Sequence, residues 1–253
     1  MRKALYSFLL IYAAGLVLLF TYRAFMGYAD YVIPSPGKLW DTAQTSWWAY
    51  SQATLKTFGL MISGHLIAVV AAFLVAVIVA TRRRVGPYVR SVAYTLQAYP
   101  LVAVAPLFFV LFSDGLATQL LITVTICYFP VLLTILGVLM RPVPEVEHFY
   151  ASNRSLTRAR LVKIRMSENA ATVLTAVTGS ASLAVVGAIL AEYLAEYSGI
   201  GYYIWVANNG NRLDGILVAL FTIGCANWIY LSAIEAVGKR AVRELVNEKG
   251  NLQ

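Results

Sequence analysis

Few residues of this chain could do chemistry, and they are scattered. The histidines, His65 and His148, stand far apart, and the cysteines, Cys127 and Cys225, each lie inside an apolar run. That pattern spells neither a metal centre nor a disulfide framework, and such cysteines read as small buried hydrophobes. Asp114 and Glu192 fall at the ends of apolar segments, where a carboxylate can reach water, and His65 alone lies well inside one. Ion-driven carriers usually hold carboxylates or histidines near the membrane midplane, and membrane enzymes need converging acids, bases or metal ligands. Neither set is present in the spans. A lone histidine in a span either relays protons or hydrogen-bonds a neighbouring helix, and the second is the simpler reading. Charge is concentrated in one place, "EHFYASNRSLTRARLVKIRMSEN" (147–169), where Arg154, Arg158, Arg160, Lys163 and Arg165 follow Arg141. The chemistry this permits is binding, not catalysis.

The elements that must position these residues are membrane helices. The chain is 60% hydrophobic and 13% charged, with a mean hydropathy of +0.70, against about 25% charged in a soluble domain. Apolar runs at 4–22, 57–81, 91–112, 116–140, 170–191 and 215–236 approach or exceed the ~20 residues that cross a bilayer as a helix. Backbone groups in lipid must be satisfied internally, so the fold class is all-α: a polytopic membrane protein of six transmembrane helices in a single domain. The first run follows Met-Arg-Lys and lacks a convincing small-x-small site after it, so it reads as a retained helix over 1–26 in preference to a cleaved signal.

An inside N-terminus places Arg2, Lys3, "TRRRVGPYVR", the long basic loop over 141–169 and the tail over 237–253 on the cytoplasmic side. Sixteen of the 20 Lys and Arg then face inward, leaving Arg23, Lys38, Lys56 and Arg212 outside. The formal charge of +8 is thus a topology signal, and nucleic-acid binding drops out. The external stretch over 27–56 opens with Ser35 as an N-cap and Pro36 at the first turn, and its aromatic residues Trp40, Trp47, Trp48 and Tyr50 suit the headgroup region. It is expected to be a helix lying along the outer surface, between the first span and the three spans of 57–140. Gly64, Ala68, Ala72, Ala76 and Ala80 make a narrow stripe that ordinary helix packing explains, as do Ser180, Ala184 and Ala188 in 170–236. Pro100, Pro106 and Pro130 each remove a backbone donor and tend to kink a span.

In the basic loop, 145–151 can form one short helix, and Ser155 can cap a second running to about Met166, with Ser152 and Asn153 as the turn. Leu156, Ala159, Val162 and Met166 share one face; Arg154, Arg158 and Arg165 share another. Phe149 and Tyr150 add exposed apolar area. The pattern suits a helix pair docked in a partner's groove, and equally a segment lying on anionic membrane lipid.

Residues 33–235 resemble the transmembrane permease subunit of bacterial ATP-binding-cassette importers, in the nitrate/sulfonate/taurine branch. The resemblance is carried by "IPSP" (33–36), "YPLVAVAPLFFVLFSDG" (99–115), "YFPVLLTILGVL" (128–139) and "GAILAEYLAEYSGIGYYI" (187–204). It implies a type I importer bundle without catalytic residues or cofactor of its own, ATP and magnesium being bound by a partner. The implied partners are two cytoplasmic ATPase subunits, a second permease copy (the same chain or a different one) and an external solute-binding protein. It also implies a coupling motif in the long loop: Glu-Ala-Ala, three residues, Gly, nine residues, Ile-x-Leu-Pro. Here "IRMS", beginning at Ile164, stands at the Ile-x-Leu-Pro place, with Met166 for Leu. Arg154 then falls at the glycine position and His148 at the glutamate position, with Glu147 one residue off register. The resemblance further places Tyr99, Pro100, Pro106, Phe129, Pro130, Glu192, Gly199, Gly201 and Tyr202 around the pathway and its outer gate. The implied solute is a small anion such as a sulfonate, taurine or nitrate; related importers carry thiamin-precursor pyrimidines and riboflavin. From another class, an ion-gradient-driven carrier or a regulatory permease-like subunit remains the alternative.

Overall fold

A computed structural model describes residues 2–80, 82, 85–152 and 157–250. These form ten helices with no strand among the described residues: α1 (Arg2–Met26), α2 (Pro36–Ala80), α3 (Val85–Ala98), α4 (Leu101–Phe112), α5 (Leu116–Met140), α6 (Pro144–Ser152), α7 (Arg158–Glu168), α8 (Ala170–Ala195), α9 (Gly199–Asn209) and α10 (Leu213–Gly250). Five of them (α1, α2, α5, α8 and α10) are long and apolar enough to cross a membrane, while α3 and α4 together form a candidate broken by a 97° bend.

Side-chain pairings fix the directions. Gly64 of α2 lies against Thr123 of α5, while further along α2 Ala72, Ala76 and Val79 join the cluster of Val131, Ile135 and Leu139. The two helices therefore run parallel. A segment joining parallel spans must return across the bundle, so the bent pair is a crossing and not a loop that re-enters and leaves on one side. Its placement agrees: Ala93 of α3 packs at the late end of α5, and Ala105 of α4 packs on Ile122, Ile126 and Ala191 at the early end. Helix α8 is antiparallel to α2, since Thr57 meets Glu192 and His65 meets Ser180. Helix α10 is parallel to α2 through Thr42–Asp214, Thr54–Thr222 and His65–Tyr230. Helix α1 runs against α10, with Tyr12 donating to the Leu217 carbonyl and Phe8 against Gly224. Six crossings alternate, with the start of α1 and the end of α10 on one face.

Two expectations change in detail. No surface helix lies apart from the second span: Pro36 to Ala80 is one 45-residue helix, about 68 Å long against a ~30 Å hydrocarbon core. Its start follows the sequence reading, with Ser35 Oγ accepting from the Lys38 N–H at 3.3 Å. Trp40, Trp47 and Trp48 are exposed, but Tyr50 is buried against Tyr203, not presented to a headgroup layer. Of the three prolines, only Pro100 marks a break; Pro106 and Pro130 lie within α4 and α5. Pro100 terminates α3 because its ring disfavours the helical conformation of Tyr99 and it offers no N–H to continue the ladder.

Small residues line the faces of α2 and α8 in the core. Ala68, Ala72 and Ala76 of α2 and Ala184 and Ala188 of α8 are fully buried. A Cβ on Gly64 would stand 2.5 Å from Thr123 Cγ2, and one on Gly187 3.0 Å from Thr123 Cα. Helix α5 is thus gripped from two sides at one residue, by backbone approach that lipid-embedded helices need in place of a hydrophobic drive.

Candidate functional site

The basic loop folds as two short helices anchored to the end of α5. Thr157, not Ser155, caps α7: its Oγ1 accepts from the Arg160 N–H at 3.2 Å. Asn153, Arg154 and Leu156, with Ser155, lie outside the described residues. Helix α6 begins at Pro144, and Glu147 reaches back to accept the Val143 N–H at 2.9 Å, satisfying a donor the helix start leaves open. The same carboxylate accepts from Arg165 Nε at 2.7 Å and Nη2 at 3.0 Å, in a fork-to-fork pair. Arg165 Nη1 donates to the carbonyl of Leu139 in the last turn of α5. The Arg165 guanidinium hydrogen-bonded to Glu147 holds its carboxyl below the ordinary carboxylate range, partial burial opposing and the Val143 N–H assisting.

This corrects the face assignment made from the sequence. Arg165 does not share a solvated face with Arg158: its side chain is 14% exposed. The apolar stripe is divided as well. Val162 and Met166 pack inward on the α2–α5 cluster and Ile164 is buried, while Ala159 is exposed. Four successive helical positions cannot all face a partner when the helix rests on its own bundle. Among the described residues of the loop the large apolar side chain left exposed is Phe149, 61% exposed and edge-on to Tyr150, over whose ring Arg160 lies at 5.1 Å. His148, at the motif's glutamate position, is exposed; Glu147, one residue earlier, makes the structural contact.

At the opposite face, a second junction gathers Glu192, Gly199 and Gly201 as a group, and adds Thr57. Helix α8 ends with Glu196 in the left-handed conformation, and the chain turns back into α9. The Glu192 carboxylate accepts from Thr57 Oγ1 at 2.7 Å and from the Gly201 N–H at 3.0 Å, while Thr57 Oγ1 accepts from the Ile200 N–H at 2.8 Å. Carboxyl oxygens at a helix start are well placed, since the first N–H groups of a helix lack partners within it. Gly199 has φ +82°, and a Cβ there would fall 2.0 Å from the Glu192 carboxyl carbon. On Gly201 a Cβ would lie 2.3 Å from the Ile189 carbonyl oxygen. Thr57 was missed in the sequence; carrying the small-residue stripe of α2 seven residues back from Gly64 would have found it.

The other singled-out residues do not join this cluster. Tyr202 lines a neighbouring cleft of about 170 Å³ with Gln52, Lys56 and Tyr197. Tyr99 and Pro100 are exposed at the bend, Pro106 is exposed on α4, and Phe129 sits edge-on to Tyr128. Pro130 lines a separate cleft of about 380 Å³ between α3, α5 and the start of α8. His65 bridges helices: Nδ1 meets Tyr230 Oη at 2.7 Å and Nε2 meets Ser180 Oγ at 2.8 Å. Ser180 Oγ in turn donates to the Val177 carbonyl at 2.9 Å. Tyr230 and Ser180 thus hold both ring nitrogens of His65, whichever nitrogen carries the hydrogen. That is the helix-bridging use of the histidine. Among the described residues no group of His, Cys, Asp and Glu could hold a metal ion.

A probable ABC transporter permease protein of Haemophilus influenzae is 26% identical over 202 residues, covering 78% of this chain and 80% of its own. A formylaminopyrimidine transport permease protein of Halalkalibacterium halodurans is 22% identical, covering 86% and 84%. A riboflavin transport system permease protein of Chloroflexus aurantiacus is 29% identical, covering 78% and 74%. Residues 68–243, reaching from the α2 stripe through the anchored loop and the Glu192 junction into α10, match the family described as binding-protein-dependent transport system inner membrane component. The chain is a polytopic, all-α membrane protein and belongs to that family of ABC importer permeases.

Proposed function

We propose that this chain forms the pathway for a small anionic solute, such as a sulfonate, taurine or nitrate, and that α6–α7 transmits the work of two cytoplasmic ATPase subunits to it. The observation carrying this reading is the Arg165 fork, which ties α6 through Glu147 and the end of α5 through Leu139. A push on the loop is then a push on a core helix. The face bearing α6 and α7 is cytoplasmic in this reading, because the described basic residues of 82–90, 141–165 and 239–243 gather there. A second permease copy, identical or not, completes the pathway, and an external solute-binding protein delivers to the α9 face. The residues around the Glu192 junction and the Pro100 bend flank the route.

The relatives named for formylaminopyrimidine and riboflavin transport favour a second reading, in which the solute is a heterocycle. Uptake separates the two. Proteoliposomes holding the permease, its ATPase and its binding protein, with ATP on the ATPase side, should accumulate labelled taurine, methanesulfonate or nitrate. Accumulation of riboflavin or a formylaminopyrimidine alone would replace the anion with a heterocycle. Uptake that follows an ion gradient with ATP removed would overturn the ATP-driven reading.

A further inference from the structure

The cleft between α3, α5 and the start of α8 is unlike the rest of this apolar protein. Arg90, Tyr94 and Gln97 line it from α3, Thr134 and Arg141 from α5, and Asn169 and Thr172 from the α8 side; no Asp or Glu lines it among the described residues. Among the described residues neither Arg90 nor Arg141 is in an ion pair, the paired cations being Arg23, Arg165, Arg212 and Lys239. Arg90 lies over the Tyr94 ring at 5.6 Å. Arg141 is exposed at the rim and Arg90 is half-buried on α3, so the cleft carries two guanidiniums with no carboxylate among its described lining residues, a field that attracts anions. The volume of about 380 Å³ lies at the small end of the roughly 300–1,000 Å³ range of ligand sites.

The position of the cleft gives it a direction. From Arg141 inward to Pro130 is eleven residues of helix, about 16 Å at 1.5 Å each and roughly half of a ~30 Å hydrocarbon core. It therefore runs from the α6–α7 face to near mid-depth. Its rim also belongs to the coupling element. Arg141 and Asn169 are the residues where the chain leaves α5 and re-enters α8, and Asn169 Nδ2 donates to the Arg165 carbonyl at 2.9 Å.

We propose that this cleft is a binding site for a small oxyanion, held by the Arg90 and Arg141 guanidiniums with Gln97, Thr134 and Asn169 as polar neighbours, and opened or closed by movement of α7. The chemistry is that of a sulfonate, phosphate or carboxylate group, supplied by a free anion in transit or by a lipid headgroup. The inference rests on the permease reading for the idea of transit, but the site itself is a matter of charge and geometry.

The test reads the field inside the cleft. Thr134→Cys is placed in a Cys127→Ala/Cys225→Ala background, and the full chain is held in phosphatidylcholine nanodiscs. Its modification rates by a negatively charged and a positively charged methanethiosulfonate reagent are compared. Replacing both arginines (Arg90→Gln with Arg141→Gln) should lower the anionic-to-cationic rate ratio about tenfold, since a cleft lined by one sign concentrates counter-ions by roughly that factor or more. Arg90→Lys with Arg141→Lys should keep the ratio, which separates charge from misfolding. Millimolar methanesulfonate slowing the anionic reagent identifies a free anion as occupant; slowing by phosphatidylglycerol in the disc identifies a headgroup. A ratio that the glutamine pair leaves unchanged, or a cleft that neither compound protects, overturns the proposal. ATP-driven uptake alongside an unmoved ratio would remove this site and leave the permease reading standing. A shifted and protectable ratio without uptake would do the reverse.

Discussion

Replacing Arg165 by glutamine removes the fork that joins α6, α7 and α5. The loss comprises two charge-assisted bonds to Glu147, at 2.7 and 3.0 Å, and one to the Leu139 carbonyl. The side chains are 14% and 16% exposed, so they are neither surface ornaments nor fully desolvated. An exposed pair is worth ~0–1 kcal/mol, whereas stripping one partner from a buried pair costs ~3–5 kcal/mol. A position between the two gives about 2–3 kcal/mol for docking of α6, equivalent to a change of roughly 30- to 150-fold in that equilibrium. Amide hydrogen exchange reads this directly, because α6 opens locally without global unfolding. Amides of residues 146–152 should exchange faster by about that factor in Arg165→Gln. Glu147→Gln should do nearly the same, and the double variant should be little worse than either, the signature of coupled partners. In the assembled transporter the same variants should lower solute moved per ATP hydrolysed. Unchanged α6 exchange in Arg165→Gln, or strictly additive effects in the double variant, would refute the idea that this fork holds the loop.

Three further outcomes follow from the geometry. The Glu147 carboxyl is held below its ordinary value, so the pair's stabilisation is complete above the free carboxylate's ~4.3 and is lost only as pH falls through the lower folded value; α6 exchange, corrected for intrinsic rate, should be flat between about pH 6 and 8. Gly199→Ala sets a Cβ 2.0 Å from the Glu192 carboxyl carbon at positive φ, and Gly201→Ala one 2.3 Å from the Ile189 oxygen, whereas Gly59, Gly137 and Gly179 have nothing within 4 Å; in thermal melts the first two should lose ~2 kcal/mol or more and the last three should be neutral or gain up to ~1 kcal/mol. Phe149→Asp removes the exposed apolar group of α6 and should weaken copurification of the ATPase by ~1.5–3 kcal/mol, while Arg158→Gln, on an exposed position, should change it by under ~1 kcal/mol.

The crossings were legible because run length answers a question of thickness, and thickness is a one-dimensional property. The bends and joins were less so. Nothing between Lys56 and Thr57 breaks a helix, and the change from aqueous to apolar composition there was mistaken for the end of an element; composition changes at a membrane surface whether or not the backbone does. Pro100 broke its span and Pro130 did not, although each removes the same donor. Pro100 follows Tyr99 between two packing sites at opposite ends of α5, whereas Pro130 is followed directly by Val131, Leu132 and Leu133, which join the buried α2–α5 cluster. Arg165 was misread because assigning faces within a loop helix presumes which side is wet. Its acceptor, Leu139, is 26 residues away and Glu147 is 18 away, and no local period records them. Glu192 was singled out without its partner, since Thr57 lies 135 residues earlier.

These contacts also determine which parts can move. Helices α2, α5 and α8 meet at Gly64, Thr123 and Gly187, where a Cβ added to either glycine would fall within 3.0 Å of Thr123. Packing that close resists sliding, because any shear drives a side chain into a backbone. His65 and Ser180 fix α8 to α2 near the middle of the bundle, and Thr57 and Glu192 fix it again near the α9 end. The three helices are therefore one body. Helices α3 and α4 are held differently: each touches one end of α5, and the 97° bend between them falls where Tyr99 is 60% exposed. On the coupling proposed above, force entering at Leu139 through Arg165 would displace this trio as a unit, and the strain would fall on the bend. The proposed motion is a tilt of α2, α5 and α8 against α3–α4. The Arg90–Arg141 cleft lies on the seam between the two, lined by one arginine from each side, so its width is what such a tilt would change.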